Sequence, residues 1–488
     1  MDPYHKENLI GPDESPETVT ILQGQVTVND PHVSTDDRDK LSILFSLYDS
    51  LMTRDDGGGF TPSLAHSWQI SDDLRTWNFS LRRDVRFHDG EILDAEDVVA
   101  SLDRVRDPSL GGELGTHGVY RSYLGGARIE AVDRHIVRVT TTSPMADLLD
   151  LLTDLPIAPQ RILDDLPQET VGSGPYRLTD YTDGRIVMDA FEDHWGGPPQ
   201  VRRLVWRRES DIKRRIATLI DGDADLIADV HPGDAESRSS LRSGLVTRPS
   251  SVCTVFMCNL VTGCCTDKRV RQALNYAIDV RQIINEVMGG AADTLSGPLT
   301  RIHFGHDPQV PPFAFNPDRA RRLLAAADTG GRLDIVLNVP TTLPDEATQV
   351  AQIMAEQYGD VGISTTIENH ADRPAYAEMV REGRMRDAAC FDSSPLSTWR
   401  ILREKFHSGL RGPWWLGYEN PEVDALIDQA EATITRVRRR DLYRRAFRII
   451  RNDAPWIFLY NASLGWGVAP RLAGWQPSVD GRILMGRK

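Results

Sequence analysis

Nucleophilic and metal chemistry need particular residue types at particular spacings, and this chain has the types without the spacings. His303 and His306 flank Phe304-Gly305 and could share a metal, but no acidic pair stands nearby. The sequence predicts both rings in a solvated, Pro-rich loop. Cys253, Cys258, Cys264 and Cys265 fall within thirteen residues, and Cys390 stands apart. Zinc sites favour two well-separated Cys-x2–4-Cys turns, so these thiols read as small residues on a strand and its following loop, with a disulfide or redox role as the alternative. Asp72-Asp73 and Asp164-Asp165 read as turn and cap residues. No Gly-x-Ser-x-Gly elbow, Gly-Lys-Ser/Thr phosphate loop or His-Glu-x-x-His helix is present. The residues therefore support no enzyme assignment, no cofactor and no metal.

The balance of 56 Lys and Arg against 71 Asp and Glu gives a formal charge of −15, which repels phosphate backbones and argues against nucleic acid as a partner. The densest basic run is Arg436, Arg438, Arg439, Arg440, Arg444 and Arg445. It shares a helical pattern with apolar Leu442, Tyr443, Phe447, Ile449 and Ile450, and reads as a solvated helix face. No window approaches the roughly 18 consecutive apolar residues of a membrane span. Met1 to Ser15 lacks the basic start, apolar core and small-residue cleavage site of a secretory leader. The expectation is a cytoplasmic protein if the chain is as encoded, and a periplasmic or cell-surface one if a leader has been removed.

Positioning any site requires lobes, and 488 residues exceed one ordinary core. Val19–Val28 alternates as a strand, then Leu41, Leu44, Phe45, Tyr48 and Leu51 trace a helix face. Short strands at Trp77–Leu81 and Ile136–Val139 enclose a helix that starts near Asp94. Later come a helix over Asp211–Ile220, strands at Ala224–Ala228 and Thr254–Met257, and a capped helix after Asp267. Helix and strand then alternate through Pro317–Ala326, Leu333–Val339, Asp345–Tyr358 and Ser364–Glu368, predicting an α/β lobe. A helix over Asp424–Asn452 ends before Pro455, and strand Trp456–Tyr460 returns. Two chain crossings, near 257–267 and 455–465, would form a hinge.

From Leu64-Ala65-His66-Ser67-Trp68 onward the chain resembles the family 5 extracellular solute-binding proteins, the dipeptide, oligopeptide and nickel binders of ABC importers. The ordered matches include Leu81-Arg82-Arg83-Asp84-Val85-Arg86-Phe87-His88-Asp89-Gly90, Ala95-Glu96-Asp97-Val98-Val99, Gly172-Ser173-Gly174-Pro175-Tyr176 and His194-Trp195-Gly196-Gly197. Asp267-Lys268-Arg269-Val270-Arg271, Asn316-Pro317 and Asn420-Pro421-Glu422-Val423-Asp424 continue them. The resemblance spans roughly residues 18 to 480. It implies a two-lobed periplasmic-binding-protein fold of type II, in the large cluster with an extra subdomain in the first lobe. The expected lobes are 18–262, completed by 462–488, and 263–461, inserted through a two-crossover hinge.

A peptide needs backbone partners, a carboxylate for its amine and tolerant side-chain pockets. The resemblance places an amine-binding aspartate near Asp392, between Phe391 and Ser393, although the residue also suits a turn. Phe256, Asn259 and Tyr460 fall on strands bordering the family's pocket, and Phe256 and Tyr460 suit core equally well. Trp414 and Trp415 suit a pocket wall or core packing, and Gln25 on the first strand completes the set. Arg381, Arg384 and Arg386 are alternative carboxylate partners, and Arg386 is the one included in the site. Gly263-Cys264-Cys265 replaces a Pro-Pro-aromatic loop, the usual tryptophan near Asp392 is missing, and the segment from Gly383 is about three residues short. These departures point away from an ordinary peptide. The expectation is a monomeric solute-binding protein closing on a peptide or similar-sized polar solute, delivering it to a membrane permease if exported. The rival readings are the same fold redeployed as a biosynthetic enzyme or as a cytoplasmic ligand sensor.

Overall fold

The computed structural model describes residues 17–33, 37–110, 119–241, 244–327, 333–342, 344–412 and 414–486. The Met1–Ser15 segment lies outside them. The chain divides into two compact units, Met1–Arg248 with Leu464–Lys488, and Pro249–Ser463.

In the first unit, strand Thr18–Gln23 lies parallel to Arg203–Arg208 on one side and to Leu226–Ile227 on the other. Arg185–Ala190 and Tyr176–Thr182 extend the sheet antiparallel. Helix Arg38–Leu47 starts where the Asp37 carboxylate accepts the Asp39 and Lys40 N–H groups, filling donors that a helix start otherwise leaves open. Its Leu41, Leu44, Phe45 and Leu47 pack with Trp206, Tyr176 and Met188. The Gly-Ser-Gly-Pro-Tyr motif passes against this helix. A Cβ on Gly174 would stand 2.5 Å from the Leu47 carbonyl carbon, so only glycine fits. A separate antiparallel sheet orders Ala65–Ile70, Thr76–Leu81, Ile136–Thr140 and Arg128–Asp133. In Trp77-Asn78-Phe79-Ser80-Leu81 the period of two buries Trp77, Phe79 and Leu81.

In the second unit, Leu333–Pro340 runs parallel to Ile363–His370 and to the start of Ala388–Ser393. Cys253–Cys258 runs antiparallel to both Ala388–Ser393 and the start of Trp456–Val468. Those pairings put Cys253–Cys258 wholly in the second unit. The first crossing thus falls between Arg248 and Pro249, ahead of the expected position at 262, and the second falls between Ser463 and Leu464.

Two elements differ from the sequence reading. The first strand, expected over Val19–Val28, is Thr18–Gln23 and ends before Gly24. The long helix expected over 424–452 is two helices, Pro421–Glu431 and Arg436–Asp453, because the β-branched run Thr433-Ile434-Thr435 disfavours continuation. The second helix ends at Ala454, whose left-handed φ of 48° lets its N–H reach the Ile450 carbonyl before Pro455. The basic run on this helix is not simply solvated. Arg439 is buried, Arg436 and Arg439 lie 5.2 and 5.7 Å over Phe304, and Arg444 donates to the His306 carbonyl at 3.1 Å. Beyond the run, Arg448 pairs with the buried Asp307 at 2.5 Å and Arg451 lies 3.8 Å over Phe313. His303 is buried rather than solvated. Its Nε2 faces the Pro395 carbonyl at 2.9 Å and its Nδ1 faces the Thr300 N–H at 3.0 Å. The five thiols are unbridged, with Cys264 and Cys265 sulfurs 4.0 Å apart.

Candidate functional site

The sheet of the second unit sets the site by strand polarity. Leu333–Pro340, Ile363–His370, Ala388–Ser393 and Trp456–Tyr460 all run one way, so their carboxyl ends line one edge, where open α/β sheets hold ligands. Register brings Ser393 opposite Cys253, and Asp392 and Tyr460 on either side of Thr254. Phe391 adds its ring to this edge, 4.5 Å from Trp414. Among the described residues, Ala388–Ser393 pairs with Leu333–Pro340 only through Ala388 and Ala389. Beyond that point the Tyr376 hydroxyl donates to the Cys390 carbonyl at 2.6 Å in place of a neighbouring strand.

The groups at this edge are polar and partly used. Asp392 is half-buried, and Arg373 donates to its carboxylate at 3.3 Å while lying 4.4 Å over Phe391. The Ser393 hydroxyl is buried without a hydrogen-bond partner among the described residues. Tyr460 is fully buried, and its hydroxyl donates to Glu346 at 2.7 Å. Burial, then the neighbouring Glu346 charge, pushes that phenol well above its ordinary range. Phe256 is fully buried between two strands and acts as core beneath the edge.

Asn259 and Arg386 sit at the opposite end of the same strands. Six residues of extended chain, about 20 Å, separate Arg386 from Asp392. Asn259 donates to the Gly383 and Met385 carbonyls at 3.2 and 2.9 Å and accepts from Val261 and Thr262 at 3.0 and 3.3 Å, which uses its full capacity. Arg386 is committed to the Asp387 carboxylate at 2.7 Å and the Asp334 carbonyl at 2.5 Å. Arg384 pairs with Glu382, so of the three alternative arginines only Arg381, 5.6 Å over Trp414, adjoins the aromatic pair. Trp415 donates to the Tyr418 carbonyl at 2.7 Å, shaping its own turn.

In the first unit, Gln25 is exposed just past the strand end, and its N–H donates to Asp39 at 3.3 Å. Beside it Arg215 is buried, with Nη1 3.6 Å from Asp229. Burial, then the charges of Asp229 and Asp37, pushes the Asp39 carboxyl up to about 8. No sequence motif marks this group, because its members come from four separate elements. The His194-Trp195-Gly196-Gly197 motif serves the core. Trp195 Nε1 donates to buried Asp49 at 2.9 Å, and His194 and the Ser173 hydroxyl stand 3.4 Å from the same carboxylate.

The profile described as bacterial extracellular solute-binding proteins, family 5 Middle, matches residues 59–391. The chain belongs to this family. It is 28% identical over 460 residues to heme-binding protein A of Haemophilus influenzae, covering 86% of this chain and 82% of that protein. It is 24% identical over 445 residues to the dipeptide-binding protein of Escherichia coli, covering 85% and 83%. The solved structure of HbpA2 from Haemophilus parasuis shares the fold with a TM-score of 0.84 at 22% identity, over 96% of this chain and 99% of that one. The protein is thus a solute-binding protein of family 5, with the mixed α/β periplasmic-binding fold, and its family is described by binding solutes rather than by an enzymatic reaction. Among the described residues no three His, Cys, Asp or Glu side chains are grouped to hold a metal.

Proposed function

We propose that the protein captures a peptide, or a polar solute of similar size, outside the cytoplasmic membrane and presents it to a membrane permease. The observation that carries this reading is the placement of Phe391, Asp392 and Ser393 at the carboxyl-end edge of one sheet, with the Trp414 ring 4.5 Å from that of Phe391. There, among the described residues, pairing with Leu333–Pro340 lapses beyond Ala389, while pairing with Cys253–Cys258 continues to Ser393. Phe391 and Trp414 offer apolar faces, Asp392 and Arg373 offer charge, and the buried Ser393 hydroxyl offers a further polar contact. Asn259 and Arg386 stand outside this cluster. The family's description as extracellular supports export, and the named ligands of its relatives, a dipeptide and heme, fit the size of solute proposed.

Mass spectrometry of the protein purified without unfolding tests the proposal. The expected result is an excess mass that is lost on denaturation and matches one released small molecule. A protein that carries no such mass, and gains none when incubated with peptide mixtures, would overturn it.

A further inference from the structure

Three of the five thiols gather at one end of the second unit's sheet. Cys258 ends its strand opposite Ala388, and the chain turns back through Gly263. A Cβ on Gly263 would stand 3.0 Å from the Asp387 carboxylate, and its φ of 77° favours glycine, so the loop presses closely on the strand that pairs with Cys258. Cys264 then donates to Asp387 at 3.4 Å, with its sulfur 4.0 Å from that of Cys265. The turn before the last strand holds the backbones of Cys258 and Cys265 side by side. The Cys258 N–H donates to the Pro455 carbonyl at 3.2 Å, while Arg271 donates to the Cys265 carbonyl at 2.8 Å and to the Ala454 carbonyl at 3.2 Å. The thiols of Cys258 and Cys265 hydrogen-bond each other and are fully buried. Cys253 sits about 17 Å away at the far end of the strand, and Cys390 lies opposite Phe256.

Neighbouring sulfurs do not by themselves make a bridge. A relaxed disulfide needs Cα atoms about 4.4–6.8 Å apart, whereas consecutive residues stand about 3.8 Å apart across a trans peptide. Cys264 and Cys265 are consecutive, which rules out a relaxed bond between them. Cys264 is also half-buried and committed to Asp387, so the remaining pair is Cys258 with Cys265. Their hydrogen bond is the largest of the influences that push the Cys265 thiol well above its ordinary range. A thiol kept protonated exchanges slowly, because the thiolate is the nucleophile. A bond between the two therefore forms while the loop is open, and burial then shields it from reductants.

We propose that Cys258 and Cys265 are a disulfide-forming pair, closed by exchange with a small disulfide, that ties loop 259–264 between the strand Cys253–Cys258 and the helix Lys268–Tyr276. The thiolate of one cysteine attacks a sulfur of oxidised glutathione and releases one glutathione thiolate. The thiolate of the other attacks the protein sulfur of that mixed disulfide and releases the second. Two protein thiols are oxidised, one glutathione disulfide is reduced, and the two protons end on the glutathione thiols. The pair lies away from the edge that carries Asp392 and does not depend on which solute the protein binds.

Incubating the reduced, intact protein with oxidised glutathione, in urea below its unfolding transition, tests it. The tryptic peptide that carries Cys258, Cys264 and Cys265 should become about 2 Da lighter, the two hydrogens lost on bridging. The oxidised protein should melt about 5 °C above the reduced one, because the closed loop restricts the unfolded chain. Cys264→Ser should keep both changes, whereas Cys258→Ser and Cys265→Ser should each lose them. A peptide that stays reduced, a bridge that disappears in Cys264→Ser, or an oxidised form that melts no higher than the reduced one would overturn the proposal.

Discussion

At the scale of single residues, buried ionisable groups set the pH dependence. Burial pushes the His32 imidazole down to about 4, and does the same to His88. Unfolded, both rings bind a proton below their ordinary 6.5. Between pH 4 and 6.5 the unfolded chain therefore takes up protons that the native state refuses, and stability falls as pH falls. Asp39 acts in the opposite sense. It keeps its proton in the native state up to about 8 but releases it above 3.8 when unfolded, so its contribution is lost as pH rises. Two histidines outweigh one aspartate below 6.5, and the aspartate acts alone above it, so these three groups place the optimum near pH 6.5. Melting temperatures recorded from pH 4 to 9 should peak there. Asp39→Asn should remove the decline on the alkaline side, gaining about 1–2 kcal/mol at pH 8. A variant that declines as steeply as the parent would sink this account of Asp39. None of it is legible in the sequence. Asp39 reads as an ordinary first-turn carboxylate until Asp229 and Arg215, nearly two hundred residues away, are brought beside it.

At the scale of elements, helix Arg436–Asp453 shows how a pattern can be read correctly and its purpose missed. Its apolar stripe is plain in the spacing of Leu442, Tyr443, Phe447 and Ile450, all buried. The arginines on its flank look solvated in the sequence because their partners are carbonyls and one carboxylate in a loop some 140 residues earlier, which no local window can reveal. The same loop carries the two histidines, His303 buried against Thr300 and the Pro395 carbonyl and His306 5.5 Å from the Phe447 ring of the helix. The pair Arg448–Asp307 should show an asymmetry. Asp307 is 2% exposed at its side chain and Arg448 is 52% exposed, so removing the arginine strands a buried carboxylate whereas removing the aspartate frees a guanidinium to solvent. Arg448→Ala should cost about 3 kcal/mol and Asp307→Ala about 1–2 kcal/mol, with faster amide exchange at 303–313 in both. Equal costs from chemical denaturation would show that water already solvates the pair. By contrast, the strand edge is legible where polarity and alternation determine it. Phe391, Asp392 and Ser393 are consecutive and share the carboxyl end of one strand, whereas Asn259, near Phe256 along the chain, lies at the far end of those strands.

At the scale of the whole molecule, the α/β character is legible, because helix and strand alternate from Pro317–Ala326 through Leu333–Pro340 and Ala347–Asp360 to Ile363–His370. The first crossing is not. Cys253–Cys258 is uniformly apolar, and such a strand says that it is buried without saying in which core. The return of the chain after Ser463 makes the first unit depend on the last residues of the chain. Trp466, Val468, Leu472, Trp475, Ile483 and Met485 are all buried in its core beside Phe45 and Trp206. The Ile483 N–H donates to Ser42 in the helix Arg38–Leu47 at 3.0 Å, and Arg482 lies 4.5 Å over Phe45. Exposing six such side chains costs roughly 10–15 kcal/mol, comparable to the whole stability of an ordinary domain at about 5–15 kcal/mol. Ending the chain after Ser463 should therefore unfold the first unit outright, while the sheet of the second unit, whose pairings through Cys253–Cys258 and Ala388–Ser393 use the last strand only over Trp456–Tyr460, retains its pairing. Hydrogen exchange read by mass spectrometry would show full deuteration of Thr18–Gln23 and Arg203–Arg208 within minutes, with Cys253–Cys258 and Ala388–Ser393 still protected. Protection surviving in Thr18–Gln23 would mean that the first core closes without its C-terminal segment, and that the second crossing serves some need other than completing it.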